Sequence, residues 1–163
     1  MRVMDNKIVG ILFVCLGNIC RSPALQGYLE YLLEENKMTD RVFVDSCGVT
    51  SSFLGASPDK QMYQTAFNSG IVLIHRAKLF EEAYFDQFDY IFAVDQVVLS
   101  ELQLFAHRKT DLQKLYLATH FSEKYQDQDI PDPYNRSLAS FELVWEMVLD
   151  SAKGILTKVL SQL

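Results

Sequence analysis

A short apolar run near the N-terminus leads directly into a polar loop and then into an amphipathic helix. Residues 9–14 are apolar and, apart from Gly10, large and partly β-branched, which is typical of a strand buried on both faces of a parallel sheet. Leucines recur at helical spacing through residues 23–36, with acidic residues between them, which predicts an amphipathic helix. We expect Ser22 to cap this helix and Pro23 to lie in its first turn. A strand, a tight connection and a helix in this order indicate a parallel α/β sheet.

The same alternation of short apolar strands and helices continues along the chain. It predicts strands over residues 41–48, 90–95 and 114–118, and helices over residues 58–68, 97–105 and 138–160. We therefore predict an α/β fold, a three-layer sandwich with a small four-stranded parallel sheet and helices on both faces. With 163 residues, 49% of them hydrophobic, and no internal repeat or linker, residues 1–163 are expected to form one domain.

The net charge and the hydropathy of the chain limit the kinds of molecule that it is expected to bind. The chain has 21 acidic and 15 basic residues, a formal net charge of −6, and no long block of either sign. This balance disfavours nucleic acid and anionic membranes as partners. No apolar run reaches the roughly 18 residues of a membrane span, and the N-terminal sequence does not resemble a signal peptide. We expect a cytoplasmic protein, monomeric, with no nucleic-acid or membrane partner.

The three cysteines need an explanation other than a disulfide framework or a metal site. Their number is odd and their spacing follows no framework pattern, and reduced thiols fit a cytosolic compartment. Cys15 and Cys20 have no second Cys or His pair nearby, so we predict no metal ion. We expect Cys47 to be an ordinary buried core residue.

The loop sequence VCLGNICRSP, residues 14–23, combines the features of a reactive thiol and an anion site. A thiolate is stabilised near a helix N-terminus and near cations, which is where Cys15 is expected to lie. A loop wrapping from residue 15 to 21 can turn its backbone N–H groups towards an anion, with Gly17 supplying unusual torsions. Arg21 offers a planar fork that matches two phosphate oxygens. These features predict attack of Cys15 on a phosphomonoester, with no metal or cofactor.

The same chemistry needs a general acid to protonate the leaving oxygen. Asp132 is the best candidate because Pro131 and Pro133 flank it and restrict the local backbone. Asp127 and Asp129 are close in sequence and compete for the role. Local context alone leaves a solvated loop carboxylate as the alternative for each of them.

With VCLGNICRSP near the start and DPY at residues 132–134, the chain resembles the low-molecular-weight protein tyrosine phosphatases. Their loop has the form V-C-x-G-N-x-C-R-S-P, and their acid lies in a C-terminal D-P-Y. The resemblance covers essentially the whole chain in length, motif order and alternation of elements. It implies that Cys15 is the nucleophile, that Arg21 binds phosphate, and that Asp132 is the general acid and later the general base.

The resemblance also implies supporting roles around the loop. Asn18 would hold the loop in its strained form, with Ser46 and His75 as its partners, and Ser22 would hydrogen-bond the thiolate. Cys20 could form a reversible disulfide with Cys15 and so protect it from irreversible oxidation. The phosphate-binding loop as a whole comprises Leu16, Gly17, Asn18, Ile19, Cys20 and Ser22.

Two positions differ from the family pattern and concern substrate recognition. Many members carry a Trp where this chain has Ser52, and we expect the adjacent Phe53 to form part of the substrate wall with Tyr134. Asn135 replaces a second tyrosine that some members carry after D-P. Aromatic walls would favour a phosphotyrosine-containing protein or a small aryl phosphate as substrate.

Two other functions are compatible with parts of the pattern. A thiol-dependent arsenate reductase of the same fold needs further cysteines after the middle of the chain, and none follows Cys47. A noncatalytic phosphotyrosine-binding module would need neither the thiol nor the acid. The predicted function is therefore a protein tyrosine phosphatase that works through a cysteinyl-phosphate intermediate.

Overall fold

The structure is a computed structural model that describes residues 7–163. In this part of the chain, strands and helices alternate as predicted, and the fold class is confirmed. The elements in chain order are β1 (Val9–Cys15), α1 (Arg21–Glu35), β2 (Val42–Gly48), α2 (Lys60–Phe67), α3 (Tyr84–Gln87), β3 (Tyr90–Ala93), α4 (Gln96–Phe105), α5 (Lys109–Leu112), β4 (Leu115–Leu117) and α6 (Leu138–Leu160).

The four strands form one parallel sheet in the order β2-β1-β3-β4. The connection from β1 to β2 and the connection from β3 to β4 cross the sheet in opposite directions. Because such crossovers are right-handed in nearly all proteins, α1 and α4 cover opposite faces of the sheet. The long helix α6 packs against α1 and also contacts α2, and α4 packs against β3 and β4. This order places the carboxyl ends of β1 and β3 side by side at one edge.

The core is continuous between the sheet and the helices. Phe13 of β1 and Phe92 of β3 are fully buried, and their rings stack with centroids 5.7 Å apart. Leu25 and Leu29 of α1 are also fully buried, which confirms the apolar stripe read from the sequence. No helix in residues 7–163 is both long enough and apolar enough to cross a membrane.

Several element boundaries differ from the prediction for local reasons. Helix α2 begins at Lys60 because Asp59 caps it, accepting hydrogen bonds from the N–H groups of Gln61 and Met62 at 2.9 and 3.0 Å. Strand β3 ends at Ala93, two residues early, because Asp95 turns to cap α4. The four-residue helices α3 and α5 were not predicted, since their hydrophobic pattern is too short to show a period.

Candidate active site

The loop between β1 and α1 is folded around the sulfur of Cys15. Cys15 is the last residue of β1 and is 3% exposed. Its Sγ accepts a hydrogen bond from the backbone N–H of Asn18 at 3.1 Å and lies 2.9 Å from the hydroxyl oxygen of Ser22. The sulfur is therefore contacted from two sides, by a backbone donor and by a hydroxyl group.

Ser22 does not cap α1, contrary to the prediction. The helix begins two residues earlier than predicted, at Arg21, and its N-cap position, Cys20, makes no side-chain capping bond. Ser22 lies in the first turn, fully buried, and its hydroxyl contacts Cys15 and accepts a hydrogen bond from the side-chain amide of Asn18 at 2.8 Å. A hydroxyl engaged in this way is not available to the helix N–H groups.

Gly17 does not have the positive φ that glycine adopts more readily than other residues, contrary to the prediction that it supplies unusual torsions. The left-handed residue in the loop is Asn18, with φ of 60°, a conformation that Asn tolerates better than most residues. Gly17 is required for a different reason. A Cβ at this position would lie 2.7 Å from the ring of Phe53, so the missing side chain leaves room for that aromatic wall.

The side chain of Asn18 joins the loop to the rest of the sheet edge. Its amide nitrogen donates to the hydroxyls of Ser22 and Ser46 at 2.8 and 3.0 Å. Its carbonyl oxygen accepts from the backbone N–H of Lys78 at 3.0 Å and lies 2.7 Å from Nε2 of His75. All available bonds of the amide are thus used, and they tie together three separate segments of the chain, residues 18–22, β2 and residues 75–78.

His75 donates a hydrogen bond to the side chain of Asn18 through Nε2. The oxygen of Asn18 can only accept a hydrogen bond, so Nε2 of His75 must carry the proton it donates. Burial lowers the pKa of His75; among the charged groups around it, Asp45 acts against this shift and Lys78 reinforces it. The predicted partners of Asn18, Ser46 and His75, are therefore both in contact with it.

Arg21 is held in place by a residue that sequence reasoning missed. The guanidinium is 3% exposed, and its Nη1 donates to Oδ2 of Asp95 at 2.6 Å and to the backbone oxygen of Ile130 at 2.9 Å. Asp95 follows β3 and uses its other oxygen to cap α4. In the sequence, the position of Asp95 just after a predicted strand of the parallel sheet was the one signal that it could belong to a site. A role as the N-cap of α4 explains an aspartate at this position equally well.

One pocket brings the predicted groups together. Asp132 carries one of its carboxylate oxygens 3.7 Å from Nη2 of Arg21, and its side chain is 42% exposed. Phe53 and Tyr134 meet edge to face, with centroids 5.3 Å apart. The residues that line the pocket are Cys15, Leu16, Gly17, Ile19, Cys20, Arg21, Phe53, Asp132 and Tyr134.

The competing acids are engaged outside this pocket. Asp127 pairs with His120 at 2.7 Å, and Asp129 accepts a hydrogen bond from the backbone N–H of Gln96 at 3.0 Å. Asn135, which stands where some family members have a second tyrosine, has φ of 58° and is therefore in the left-handed conformation. Of the three aspartates, Asp132 alone is among the residues lining the pocket.

Backbone donors are available beside the sulfur. Among the described residues, the N–H groups of Leu16, Gly17, Ile19 and Cys20 have no hydrogen-bond acceptor. Unpaired N–H groups in a loop that precedes a helix are suited to binding the oxygens of an anion. The loop thus combines a sulfur, four free amides and the cation of Arg21.

The other two cysteines differ from Cys15 in their surroundings. Burial, followed by Asp59, raises the pKa of Cys20, and burial raises the pKa of Cys47. Both are free thiols and buried, so they are protonated at neutral pH. In residues 7–163, no group of three or more His, Cys, Asp or Glu side chains is arranged to hold a metal ion.

Comparison with known proteins agrees with this geometry. Residues 10–163 match the family model of the low molecular weight phosphotyrosine protein phosphatases. The chain is 31% identical over 150 residues to the pig low molecular weight phosphotyrosine protein phosphatase, covering 91% of this chain and 94% of the relative. The chain belongs to this family of phosphatases.

Solved structures show the same fold. The protein tyrosine phosphatase of Entamoeba histolytica superposes with a TM-score of 0.90 at 28% identity, covering 94% of this chain and 98% of the other. A Drosophila arginine phosphatase superposes with a TM-score of 0.84 at 30% identity, covering 91% and 96% of the two chains. The likeness therefore extends over nearly the whole of each protein.

Proposed function

We propose that the protein hydrolyses phosphotyrosine and other aryl phosphomonoesters through a cysteinyl-phosphate intermediate. The observation that carries this proposal is the meeting of Cys15, Arg21 and Asp132 in one pocket. A nucleophile, a phosphate-binding cation and a proton donor are the three groups that the reaction requires.

The first step transfers the phosphoryl group to the enzyme. The free N–H groups of the loop and the fork of Arg21 bind the phosphate oxygens, and the sulfur of Cys15 attacks phosphorus. The bond from phosphorus to the aryl oxygen breaks as Asp132 donates its proton to that oxygen. The leaving group departs as a neutral phenol, and Asp132 remains as a carboxylate.

The second step releases phosphate. The carboxylate of Asp132 takes a proton from water, and the water oxygen attacks the phosphorus of the cysteinyl phosphate. The sulfur leaves as a thiolate, which the N–H of Asn18 and the hydroxyl of Ser22 stabilise. Asp132 is protonated again, so the cycle closes with no metal or cofactor.

The walls of the pocket support an aromatic substrate. Phe53 and Tyr134 present a T-shaped pair of rings beside the loop, and Ile19 adds an apolar contact. A phenyl ring bound between such walls gains area burial and edge contacts that the alkyl chain of phosphoserine cannot match. Because one structural neighbour is an arginine phosphatase, phosphoarginine is the informative competing substrate.

The alternatives have less support. Arsenate reduction needs a thiol that can pass a disulfide outward, and Cys47 is fully buried and adjoins Gly48 at the end of β2. A noncatalytic binding module has no use for Asp132 beside Arg21.

We also propose that the three free thiols indicate a reducing compartment, the cytoplasm, and that the protein acts as a monomer.

Cys20 is proposed as a redox guard. A peroxide would oxidise Cys15 to a sulfenic acid, and the thiol of Cys20 would condense with it, forming a disulfide and releasing water. The raised pKa of Cys20 keeps it protonated, so it does not compete with Cys15 as a nucleophile before oxidation. A reductant restores the two thiols.

Hydrolysis of para-nitrophenyl phosphate in EDTA tests the proposal. The wild type should turn over this ester in mildly acidic buffer, and Cys15→Ser should abolish turnover. Asp132→Asn should slow esters with poor leaving groups by at least tenfold more than para-nitrophenyl phosphate, because only the former need a proton. Cys47→Ser, in a thiol outside the pocket, is the control for Cys15→Ser. Absence of turnover by the wild type would refute the proposal.

A further inference from the structure

A chain segment outside the active-site pocket presents unpaired backbone groups along an extended path. Residues 71–78 follow α2 and the turn at residues 68–70, and they contain no turn or bend themselves. Hydrogen bonds flank the segment, from the N–H of Ile71 to the oxygen of Ala66 at 3.0 Å and from the N–H of Ala77 to the oxygen of Ala56 at 2.9 Å. Among the described residues, no backbone N–H or C=O of residues 72–76 is hydrogen-bonded to protein. Such groups need either water or another chain as partner.

The side chains of this segment alternate as they do in a strand with one buried face. Val72 and Ile74 are 51% and 87% exposed, whereas Leu73 is 4% exposed. The inner face is fixed by close packing, because a Cβ on Gly27 of α1 would lie 2.5 Å from the side chain of Leu73. The segment therefore has one packed face, an apolar outer face and unpaired backbone groups, which is the form of edge that other chains pair with.

The segment forms one side of a groove whose other side is α2. Tyr63 of α2 lines the groove opposite Val72 and Ile74, and its ring stacks on the half-exposed Phe67 with centroids 6.1 Å apart. The groove can thus cover apolar side chains that project from a chain laid along residues 72–76. Strand addition needs a free backbone edge and a surface that accepts alternate side chains, and the segment with this groove provides both.

The charge of the groove indicates the kind of peptide it takes. Lys60 and Arg76 line it, and no acidic side chain is among the described residues that do so. The protein as a whole carries a net charge of −6, so this local positive charge is a departure from its average. Arg76 is held by a hydrogen bond to the hydroxyl of Ser57 at 2.9 Å, which orients its guanidinium at the rim.

We propose that this groove binds an extended, acidic segment of a partner protein, which adds as a strand along residues 72–76. Its backbone would pair with the free N–H and C=O groups, its apolar side chains would lie against Tyr63, Val72 and Ile74, and its carboxylates would pair with Lys60 and Arg76. This site is distinct from the phosphate pocket and does not depend on the proposed reaction.

A fluorescent peptide tests the proposal directly. The probe is a heptapeptide of alternating valine and glutamate, and fluorescence anisotropy should show saturable binding that weakens as salt is raised. Replacing each glutamate by lysine should weaken binding at least tenfold. N-methylation of the alternate amides that face the protein, with all side chains kept, should also weaken it at least tenfold, because the backbone donors are lost.

Protein variants locate the site. Ile74→Gln replaces an exposed apolar side chain without adding charge, and Lys60→Glu reverses a surface charge in the first turn of α2, so neither alters the core. Each should weaken binding of the valine-glutamate peptide at least fivefold with an unchanged melting temperature. Leu104→Gln is the matched control, because Leu104 is 79% exposed on α4, away from the groove, and this variant should bind the peptide as the wild type does.

Three results would overturn the proposal. They are absence of binding, equal binding of the N-methylated peptide, and equal effects of Ile74→Gln and Leu104→Gln. Sedimentation velocity adds a fourth: a dimer of the wild type that Ile74→Gln dissociates would assign the groove to a second copy of this chain. None of these measurements uses turnover, so failure of the proposed function would leave them interpretable.

Discussion

Asp95 acts on two elements through its two carboxylate oxygens. Oδ2 accepts from buried Arg21, and Oδ1 accepts from the N–H of Val98 at the start of α4. Asp95→Asn keeps the cap but removes the counter-charge, and we expect it to destabilise the fold by about 2 kcal/mol. Asp95→Ala should cost about 1 kcal/mol more because the cap is also lost.

Denaturation with and without inorganic phosphate measures these effects. Phosphate supplies the negative charge that Arg21 lacks in Asp95→Asn, so it should stabilise that variant more than the wild type. An equal gain in both proteins would contradict the view that Asp95 and the bound anion share Arg21.

His75 makes stability depend on pH in a defined direction. Its folded-state pKa lies below the ordinary value of 6.5, so the unfolded chain binds the proton more tightly. The stability that neutral His75 contributes is present above pH 6.5 and is lost as the pH falls through the lower, folded-state value. Relative to His75→Gln, the wild type should lose stability between pH 7.5 and pH 5.5 in urea titrations.

At the residue scale, the sequence predicts chemistry that is local and misses contacts between distant residues. Cys15, Arg21 and Ser22 lie in one short motif, so their proximity follows from the loop itself. Asp95 meets Arg21 across 74 positions of sequence, and no local pattern reports that bond. The sequence does not show why a glycine is needed at position 17, because the ring that it accommodates belongs to Phe53, in a loop after β2.

At the scale of elements, α6 owes its position to a close backbone contact at Gly154. A Cβ at this position would lie 1.9 Å from the backbone oxygen of Phe121. Alanine is ordinarily the better helix former by about 1 kcal/mol, but here Gly154→Ala must push α6 away from that backbone. We expect it to destabilise the protein by about 3 kcal/mol in chemical denaturation.

Ser151→Ala is the matched variant on the same helix. The hydroxyl of Ser151 is buried and has no hydrogen-bond partner in residues 7–163. Replacing it by a methyl group removes an unpaired polar atom, so we expect a gain on the order of 1 kcal/mol. A loss of similar size in both variants would show that α6 tolerates no change on this face, and would contradict the role given to Gly154.

The elements also show where periodicity succeeds. Helix α6 was predicted over residues 138–160 and lies at Leu138–Leu160, because 23 residues give the apolar stripe six turns in which to repeat. The four-residue helices α3 and α5 offer no such repeat. The predicted start of α1 rested on Ser22 as its cap. The hydroxyl of Ser22 instead contacts the sulfur of Cys15, which lies outside the helix.

At the scale of the whole molecule, an anion in the pocket should stabilise the entire fold. The loop joins β1 to α1, and Arg21 links it to the end of β3, so the site exists only when the sheet is assembled. A ligand that binds only the folded state at 100 times its Kd adds about 2.7 kcal/mol. For a chain of 163 residues, this corresponds to a rise in melting temperature of about 5–10 °C.

Tungstate, a tetrahedral oxyanion that cannot be hydrolysed, measures this linkage without turnover. The wild type and Cys15→Ser should both show the rise, because the N–H groups and Arg21 bind the anion whether or not the sulfur can react. Arg21→Lys should show less than half of it, since the fork that holds two oxygens is lost. Arg108→Lys, at a half-exposed arginine that does not line the pocket, should retain the full rise. An equal rise in all four proteins would place the anion elsewhere on the surface and remove Arg21 from the site.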